Sequence, residues 1–172
     1  MAVDTWITQT ANDLLACWQE QLKANPDPPA DFCVRVGESV AEDIDPITGE
    51  DQCCEGLAWV RVGNMVPSSN FPDVDTTYYK CYPVTWALEL ELGIMRCMPG
   101  QAQTPIVSCS NYQKAFTHDV NDLRAMEETL CCWKGTLSKG RLFAVLSAEP
   151  YGPRGGCIGR TMQLLVQKPK CC

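Results

Sequence analysis

The stretch VTWALELELGIMRCM, residues 84–98, decides the fold because its side chains alternate between apolar and polar. Every second residue is apolar and would share one face of a strand: Trp86, Leu88, Leu90, Leu92 and Ile94. Thr85, Glu89 and Glu91 would share the other face. A helix, the alternative, would scatter the glutamates, and Pro83 and Pro99 bracket the stretch. We therefore predict a strand with one face on a core and the other facing solvent or a partner.

The segments before this strand predict one helix and two further strands. Apolar residues at spacings of three and four predict an amphipathic helix over 4–23, which the prolines of NPDPP at 25–29 would end. FCVRVGESV at 32–40 and LAWVRVGNMV at 57–66 have strand composition. The acidic stretch EDIDPITGEDQ and the later stretch VPSSNFPDVDTT lack an apolar period and predict loops. Residues 32–98 are thus expected to hold three strands with long loops.

A second helix and a hairpin follow, and they complete the predicted fold. The residues that recur at helical spacing are Tyr112, Phe116, Val120, Leu123, Met126 and Leu130. They predict a helix over 110–134, ended by Lys134 and Gly135. Two stretches of strand composition, 141–152 and 157–167, are joined by PRGG, and KPKCC at 168–172 forms a tail. This order predicts a single α+β domain in two layers, with both helices on one side of a mostly antiparallel sheet.

The glycine-rich stretch GPRGGCIG at 152–159 has two interpretations. A phosphate-binding loop leaves a strand and enters a helix, so that amide donors and the helix dipole converge on the anion. These glycines instead lead into a stretch of strand composition, and no Gly-Lys-Ser or Gly-Lys-Thr follows. A hairpin turn is therefore favoured over a phosphate site.

Composition and charge argue against several classes of protein. The chain has 172 residues, 45% apolar and 20% charged, which is typical of a packed globular domain. Its net charge of −7 argues against direct nucleic-acid binding, which needs clustered Lys and Arg. The N-terminus has no basic region followed by an apolar run, and no stretch is long enough to span a membrane. We expect a protein made in a cytoplasm, with no membrane partner.

Twelve cysteines are the most unusual feature of the composition. Three interpretations are open: buried thiols that act as small apolar side chains, disulfides formed after release into an oxidising medium, and zinc ligands. Zinc is the least favoured, because there is no C-x-x-C spacing and His118 is the only histidine. Cys109, just before the second predicted helix, is the one candidate for a reactive thiol by position.

No motif in the sequence carries catalytic chemistry. His118, beside Asp119, is expected to be a solvated helix residue. Glu89 and Glu91 could form a paired-carboxylate site, but the wet face of a sheet or an interface is favoured. We expect no enzyme activity, no cofactor and no metal ion.

Several separated motifs together resemble the Cys-rich neck and tail-completion proteins of long-tailed phages that infect actinobacteria. They are a CxEG-x-x-x-V-x-V core, a loop carrying FP, an RC-x-P strand end, a CC-terminated helix and a GPxGGCxG hairpin. The matching residues are Cys54, Glu55, Gly56, Val60, Val62, Phe71, Pro72, Arg96, Cys97, Pro99, Cys131, Cys132, Gly152, Pro153, Gly155, Gly156, Cys157 and Gly159. With the DLLAC helix, the resemblance runs from about residue 12 to residue 167.

The resemblance implies a structural virion protein at the head–tail joint, assembled in the host cytoplasm. Its first candidate role is the tail terminator, a hexameric ring that caps the tail tube and docks to the head connector. A head-completion or stopper protein is the alternative. The implied partners are further copies of the chain, the major tail tube protein and the connector, with DNA only passing through the lumen. An acidic ring would not hold the phosphates of that DNA.

Loops 41–54 and 67–80 are the expected contacts with the tail tube or the connector. The candidate interface residues are therefore Asp43, Asp45, Phe71 and Pro72 in these loops, with Glu89 and Glu91 on the sheet face.

Overall fold

A computed structural model describes residues 5–37, 56–76, 85–99, 108–137, 141–154 and 156–168. The elements in chain order are α1 (Thr5–Lys23), β1 (Asp31–Val36), β2 (Leu57–Pro67), β3 (Trp86–Cys97), α2 (Cys109–Thr136), β4 (Phe143–Arg154) and β5 (Cys157–Gln167). The predicted order of helix, three strands, helix and two strands is confirmed. Neither described helix is long and apolar enough to cross a membrane.

The five strands form one sheet in the order β1-β2-β3-β5-β4. β1 pairs with β2 in parallel, and the other three pairings are antiparallel. The predicted mostly antiparallel α+β fold is therefore confirmed. β3, the strand with the alternating pattern, lies at the centre, and β1 and β4 form the two edges of the sheet.

The alternation in β3 separates the two faces of the sheet as predicted. Leu88, Leu90, Leu92 and Ile94 are almost fully buried and belong to the main core. Both helices pack on this face, with Trp18 of α1 and Met126 and Trp133 of α2 in the same core. Trp86 departs from the prediction because it is 43% exposed, at the end of the strand beyond the core.

The two helices run in opposite directions and are joined by a disulfide bond between Cys17 and Cys132. The Cα atoms of the pair are 5.8 Å apart, which is within the range of natural disulfides. Cys97 and Cys157 each take part in a disulfide bond as well. The free thiols among the described residues are Cys33, Cys109 and Cys131, and these are half-buried or exposed. The favoured interpretation, buried thiols, is therefore wrong for these cysteines.

Helix α2 begins and ends with defined caps. The Ser108 side chain accepts a hydrogen bond from the amide of Asn111, which satisfies one free donor of the first turn. The predicted end at Lys134 and Gly135 is early, because Gly135 stays helical and the amide of Leu137 donates to the Trp133 carbonyl. The helix therefore runs to Thr136.

The glycine-rich stretch is a hairpin turn, as predicted. β4 pairs antiparallel with β5 up to Arg154 and Cys157. Gly152 and Gly156 have φ of 91° and 82°, a left-handed conformation that glycine adopts without strain. The stretch continues into β5 rather than into a helix, so it lacks the helix N-terminus that a phosphate-binding loop requires.

Candidate interaction surfaces

Glu91 is the centre of a polar cluster on the sheet face opposite the helices. Its carboxylate accepts hydrogen bonds from Trp59 Nε1 at 3.1 Å, Arg61 Nη2 at 2.8 Å and Gln163 Nε2 at 2.6 Å. The hydrogen bond to Glu91 raises the pKa of Arg61, which stays charged. Glu91 is only 4% exposed, so the wet-face interpretation is wrong for this residue. Its carboxylate instead ties β2, β3 and β5 together.

Gly93 makes this cluster possible. A Cβ atom at this position would lie 2.1 Å from two carbons of the Trp59 ring, so only glycine leaves room for the indole. The ring then brings its Nε1 to Glu91. Glu89 has a different partner, because its Oε2 accepts from the amide of Asn64 at 3.3 Å. The two glutamates therefore serve separate hydrogen-bonding groups.

The loop of residues 68–76, here called the FP loop, presents apolar side chains at one end of the sheet. Phe71 is half-buried, whereas Pro72 and Val74 are exposed. Asp75 Oδ2 accepts from the amide of Ser69 at 2.8 Å and from its hydroxyl at 2.6 Å. These hydrogen bonds fix the conformation of the loop. Binding of a partner to its apolar tip would therefore cost little further chain entropy.

A cleft of about 230 Å³ lies at the opposite end of the sheet, between the first half of α2 and the β4–β5 hairpin. We call it the α2 cleft. Its apolar lining comes from Met98, Tyr112, Ala115, Phe116, Pro150, Tyr151 and Ile158. The apolar residues predicted at helical spacing on α2 have two environments, because Tyr112, Phe116 and Val120 are exposed while Met126 is buried in the core. Exposed aromatic side chains around an apolar cleft are typical of an interaction surface.

A buried ion pair forms the base of the α2 cleft. Arg96 donates from Nε and Nη2 to the two carboxylate oxygens of Asp122, both at 2.8 Å. Its Nη1 donates to the Asp27 carbonyl at 2.5 Å, which ties the turn after α1 to β3. Burial raises the pKa of Asp122, and the hydrogen bonds from Arg96 oppose that shift. Such a pair fixes geometry, because either partner alone would be a buried charge.

His118 and Asp119 line the same cleft and have partners. Arg160 donates to the Asp119 carboxylate at 2.8 and 2.6 Å, and this bond raises the pKa of Arg160. His118 Nδ1 lies 4.0 Å from an oxygen of Asp27. The histidine is half-buried and borders a second, smaller cleft of about 130 Å³. Its side chain is 36% exposed on α2, so the prediction of a solvated helix residue is confirmed in part, and the carboxylate of Asp27 lies beside it.

Motifs that are distant in the sequence meet at this end of the sheet. Gly56, Arg96, Cys97 and Pro99 line the smaller cleft. Gly152 and Gly159 line the α2 cleft beside it. A Cβ atom on Gly159 would lie 1.9 Å from the carbonyl oxygen of Ile94, so the close approach of β5 to β3 requires glycine here. The glycines and Arg96 of these motifs thus build one structural unit.

Asp43 and Asp45 lie outside the described residues, as do the whole of the predicted contact loop 41–54 and residues 77–80 of the loop 67–80. Within the part of the chain that is described, no group of three or more His, Cys, Asp or Glu side chains is placed to hold a metal ion. A scan against protein-family models finds no match, and a search of curated proteins finds no relative.

Proposed function

We propose that the protein is a non-catalytic structural subunit of the head–tail joint of a long-tailed phage, specifically the tail terminator. Six copies form a ring that caps the tail tube and docks to the head connector, and DNA passes through its lumen. The protein then resides in the neck of the virion. The assignment to a phage neck rests on the motifs that resemble neck proteins. The assignment to an assembled ring rests on the exposed apolar surfaces of the fold.

The observation that carries the proposal is apolar exposure at both edges of the sheet. On β1, Val36 is 81% exposed and Val34 is also exposed. On β4, Leu146 is 54% exposed and Val145 is also exposed. Edge strands with unprotected apolar side chains favour association with another chain. Because the two edges differ in sequence and length, one edge meeting the other forms a heterologous contact, which generates a ring when the rotation closes.

Two further surfaces suit a subunit that lies between two partners. The FP loop follows the end of β2 beside Trp86, the first residue of β3. The α2 cleft is lined by Arg96 and Met98, the neighbours of Cys97 at the end of that strand, so β3 separates the two surfaces. At about 3.3 Å per residue, the 11 steps from Trp86 to Cys97 span roughly 36 Å. One surface can therefore contact the tail tube while the other contacts the connector.

Capping of assembled tail tubes tests this function. Purified tail tube protein is polymerised with and without the protein, and tube lengths and tube ends are examined by negative-stain electron microscopy. We expect density at one end of each tube and arrested growth. Binding to the connector with no effect on the tubes would contradict a terminator and favour a stopper. Indifference to both partners would place the protein outside the neck.

A further inference from the structure

The net charge of the chain comes from one segment. Residues 38–55 contain seven of the 21 acidic residues and none of the 14 Lys and Arg residues. The remaining residues hold 14 acidic and 14 basic side chains and are neutral as a set. We call residues 38–55 the acidic segment; it also carries the aliphatic residues Val40, Ile44 and Ile47. A segment of this composition is suited to a basic surface with apolar side chains.

Such a surface lies at the end of the sheet where β4 begins. Arg141 and Lys168 both lie over the ring of Trp6, at 5.9 and 5.7 Å from its centroid. The amide of Lys168 donates to the Trp86 carbonyl at 2.8 Å, and the amide of Gln167 donates to the Leu142 carbonyl at 3.0 Å. These contacts join Trp6, Trp86, Arg141, Leu142 and Lys168 into one patch, the basic end.

The basic end combines charge with exposed apolar surface. Trp86 and Leu142 are both exposed beside the two cations. In the sequence, residues 161–172 include Lys168 and Lys170 and contain no acidic side chain. Residues 129–148, which include Arg141 and Leu142, also lack an acidic residue in the sequence. The basic end is thus complementary to the acidic segment in charge and in apolar character.

The acidic segment and the basic end adjoin different edge strands along the chain. The acidic segment begins directly after β1, one edge strand, whereas Arg141 and Leu142 lead into β4, the other edge strand. Four strand spacings, roughly 19 Å, separate these edges. In a ring of identical subunits the β1 edge of one copy faces the β4 edge of the next. In such a ring, the strand that precedes the acidic segment of one copy lies next to the strand that follows the basic end of another copy.

We infer that the acidic segment of one copy docks on the basic end of its neighbour and closes the subunit contact in the ring. The inference rests on the proposed ring and identifies the occupant of the basic end. Asp43 and Asp45 then act between copies rather than on the tail tube.

Charge reversal on the two sides tests the inference. Variant A carries Arg141→Glu and Lys168→Glu, so that both its segment and its patch are acidic. Variant B carries Glu42→Lys, Asp43→Lys and Asp45→Lys, so that its segment loses its acidic character while its patch stays basic. Light scattering then measures the mass of each variant alone and of a one-to-one mixture. We expect each variant alone to associate at least tenfold more weakly than wild type, and the mixture to recover pairs in which the acidic segment of variant A docks on the basic end of variant B.

The mixture distinguishes a contact between copies from one within a copy. If the segment docks on its own subunit, both variants lose the contact and mixing restores nothing. Lys23→Glu with Lys114→Glu is the matched control, since both side chains are exposed and the change in charge equals that of variant A. This control should assemble as wild type does. Normal rings from variants A and B, or mixing without recovery, would overturn the inference.

A cross-linking arm separates this inference from the proposed function. Carbodiimide joins carboxylates to lysine amines, and a mixture of unlabelled and nitrogen-15 protein shows by mass spectrometry which cross-links connect two copies. We expect Lys168 or Lys170 joined to residues 38–55 of the other isotope. That cross-link in an assembly that does not bind the tail tube would support the contact and contradict the terminator. Rings that bind the tail tube but lack the cross-link would support the terminator and contradict the contact. If added DNA prevents the cross-link from forming, nucleic acid is the occupant of the basic end.

Discussion

The two faces of β3 are buried in different ways. Leu92 and its neighbours on one face are covered by both helices and contact apolar side chains. Glu91, on the other face, is covered almost as completely but makes three hydrogen bonds to groups on two neighbouring strands. Apolar packing is tolerant of shape, whereas a buried carboxylate needs every partner in place. The helix face therefore supplies most of the stability, and the other face fixes the positions of the strands.

The disulfide that joins the helix layer should give the largest change in stability. Replacing Cys17 and Cys132 with alanine removes a link across 115 residues of sequence. The chain-entropy relation gives about 5 kcal/mol for a loop of that size. Guanidinium unfolding of the variant and the wild type measures the difference. Cys131→Ala, which removes an exposed free thiol, is the control, and equal midpoints for all three proteins would contradict the bond's role.

Gly93→Ala should disrupt the polar face next most strongly. The added methyl group occupies the site of the Trp59 ring, so the indole must leave and lose its bond to Glu91. We expect a loss of about 4 kcal/mol, similar to truncation of a buried aromatic side chain. Chemical denaturation measures it, and a red shift in tryptophan emission reports the displaced ring. Gly135→Ala, with no atom near its Cβ, should cost nothing, and a similar result for both variants would refute the packing explanation.

Leu92→Ala tests the helix face. Leu92 is fully buried between sheet and helices, so its truncation should leave a cavity and lower the free energy of unfolding by about 3 kcal/mol. Urea unfolding with an unchanged slope would confirm that only stability has changed. Leu146→Ala is the matched control on an exposed edge. An equal loss in both variants would mean that burial does not explain the effect.

Glu91→Gln tests the polar face with almost no change in volume. The variant loses the charge that accepts from Arg61 and turns one acceptor into a donor that faces Gln163 or Trp59. We expect a loss of about 2 kcal/mol, as for other buried charged hydrogen bonds. Thermal unfolding compared with Glu127→Gln, at an exposed position on α2, measures it. A loss equal to that of the exposed control would show that the cluster adds no stability.

Val36→Lys should have the smallest effect on folding and a large effect on assembly. The side chain is mostly exposed on β1, so the free energy of unfolding should stay within about 0.5 kcal/mol of wild type. A charge at an apolar edge should nevertheless prevent a neighbour from docking. Unfolding and light scattering on the same sample check both points. If assembly is unchanged, the β1 edge is not part of the interface between copies.

The sequence predicted the elements and the core face of β3 well, because each rests on local spacing, but it did not predict the burial of Glu91 on the other face. The period of two in β3 placed Leu88, Leu90, Leu92 and Ile94 on the core, and the spacing of α1 placed Leu14 and Trp18 there. The order of the strands and the parallel pairing of β1 were not predicted. Both depend on contacts between distant segments, which no local pattern encodes.

The α2 cleft was not predicted because the residues that line it come from distant parts of the sequence. Arg96 lies 26 residues from Asp122 in the sequence, and only the fold joins them. A usable signal was present: Arg96 continues the alternation of Leu92 and Ile94, and Asp122 lies four residues before the buried Met126. A charge at a core position predicts a buried partner. Tyr112 and Phe116 were correctly assigned to a helix. Helical spacing alone, however, does not show which of the regularly spaced apolar residues are buried against the sheet and which stay exposed.

The mass of the wild-type protein in solution tests the central claim most directly. Light scattering at several concentrations, under conditions that keep the free thiols reduced, is performed on the protein alone and with tail tube protein. We predict a mass of six copies, or a monomer of 19.0 kDa that the tube drives into a ring. A monomer that persists at every concentration and ignores the tube would contradict assembly through the two edges of the sheet.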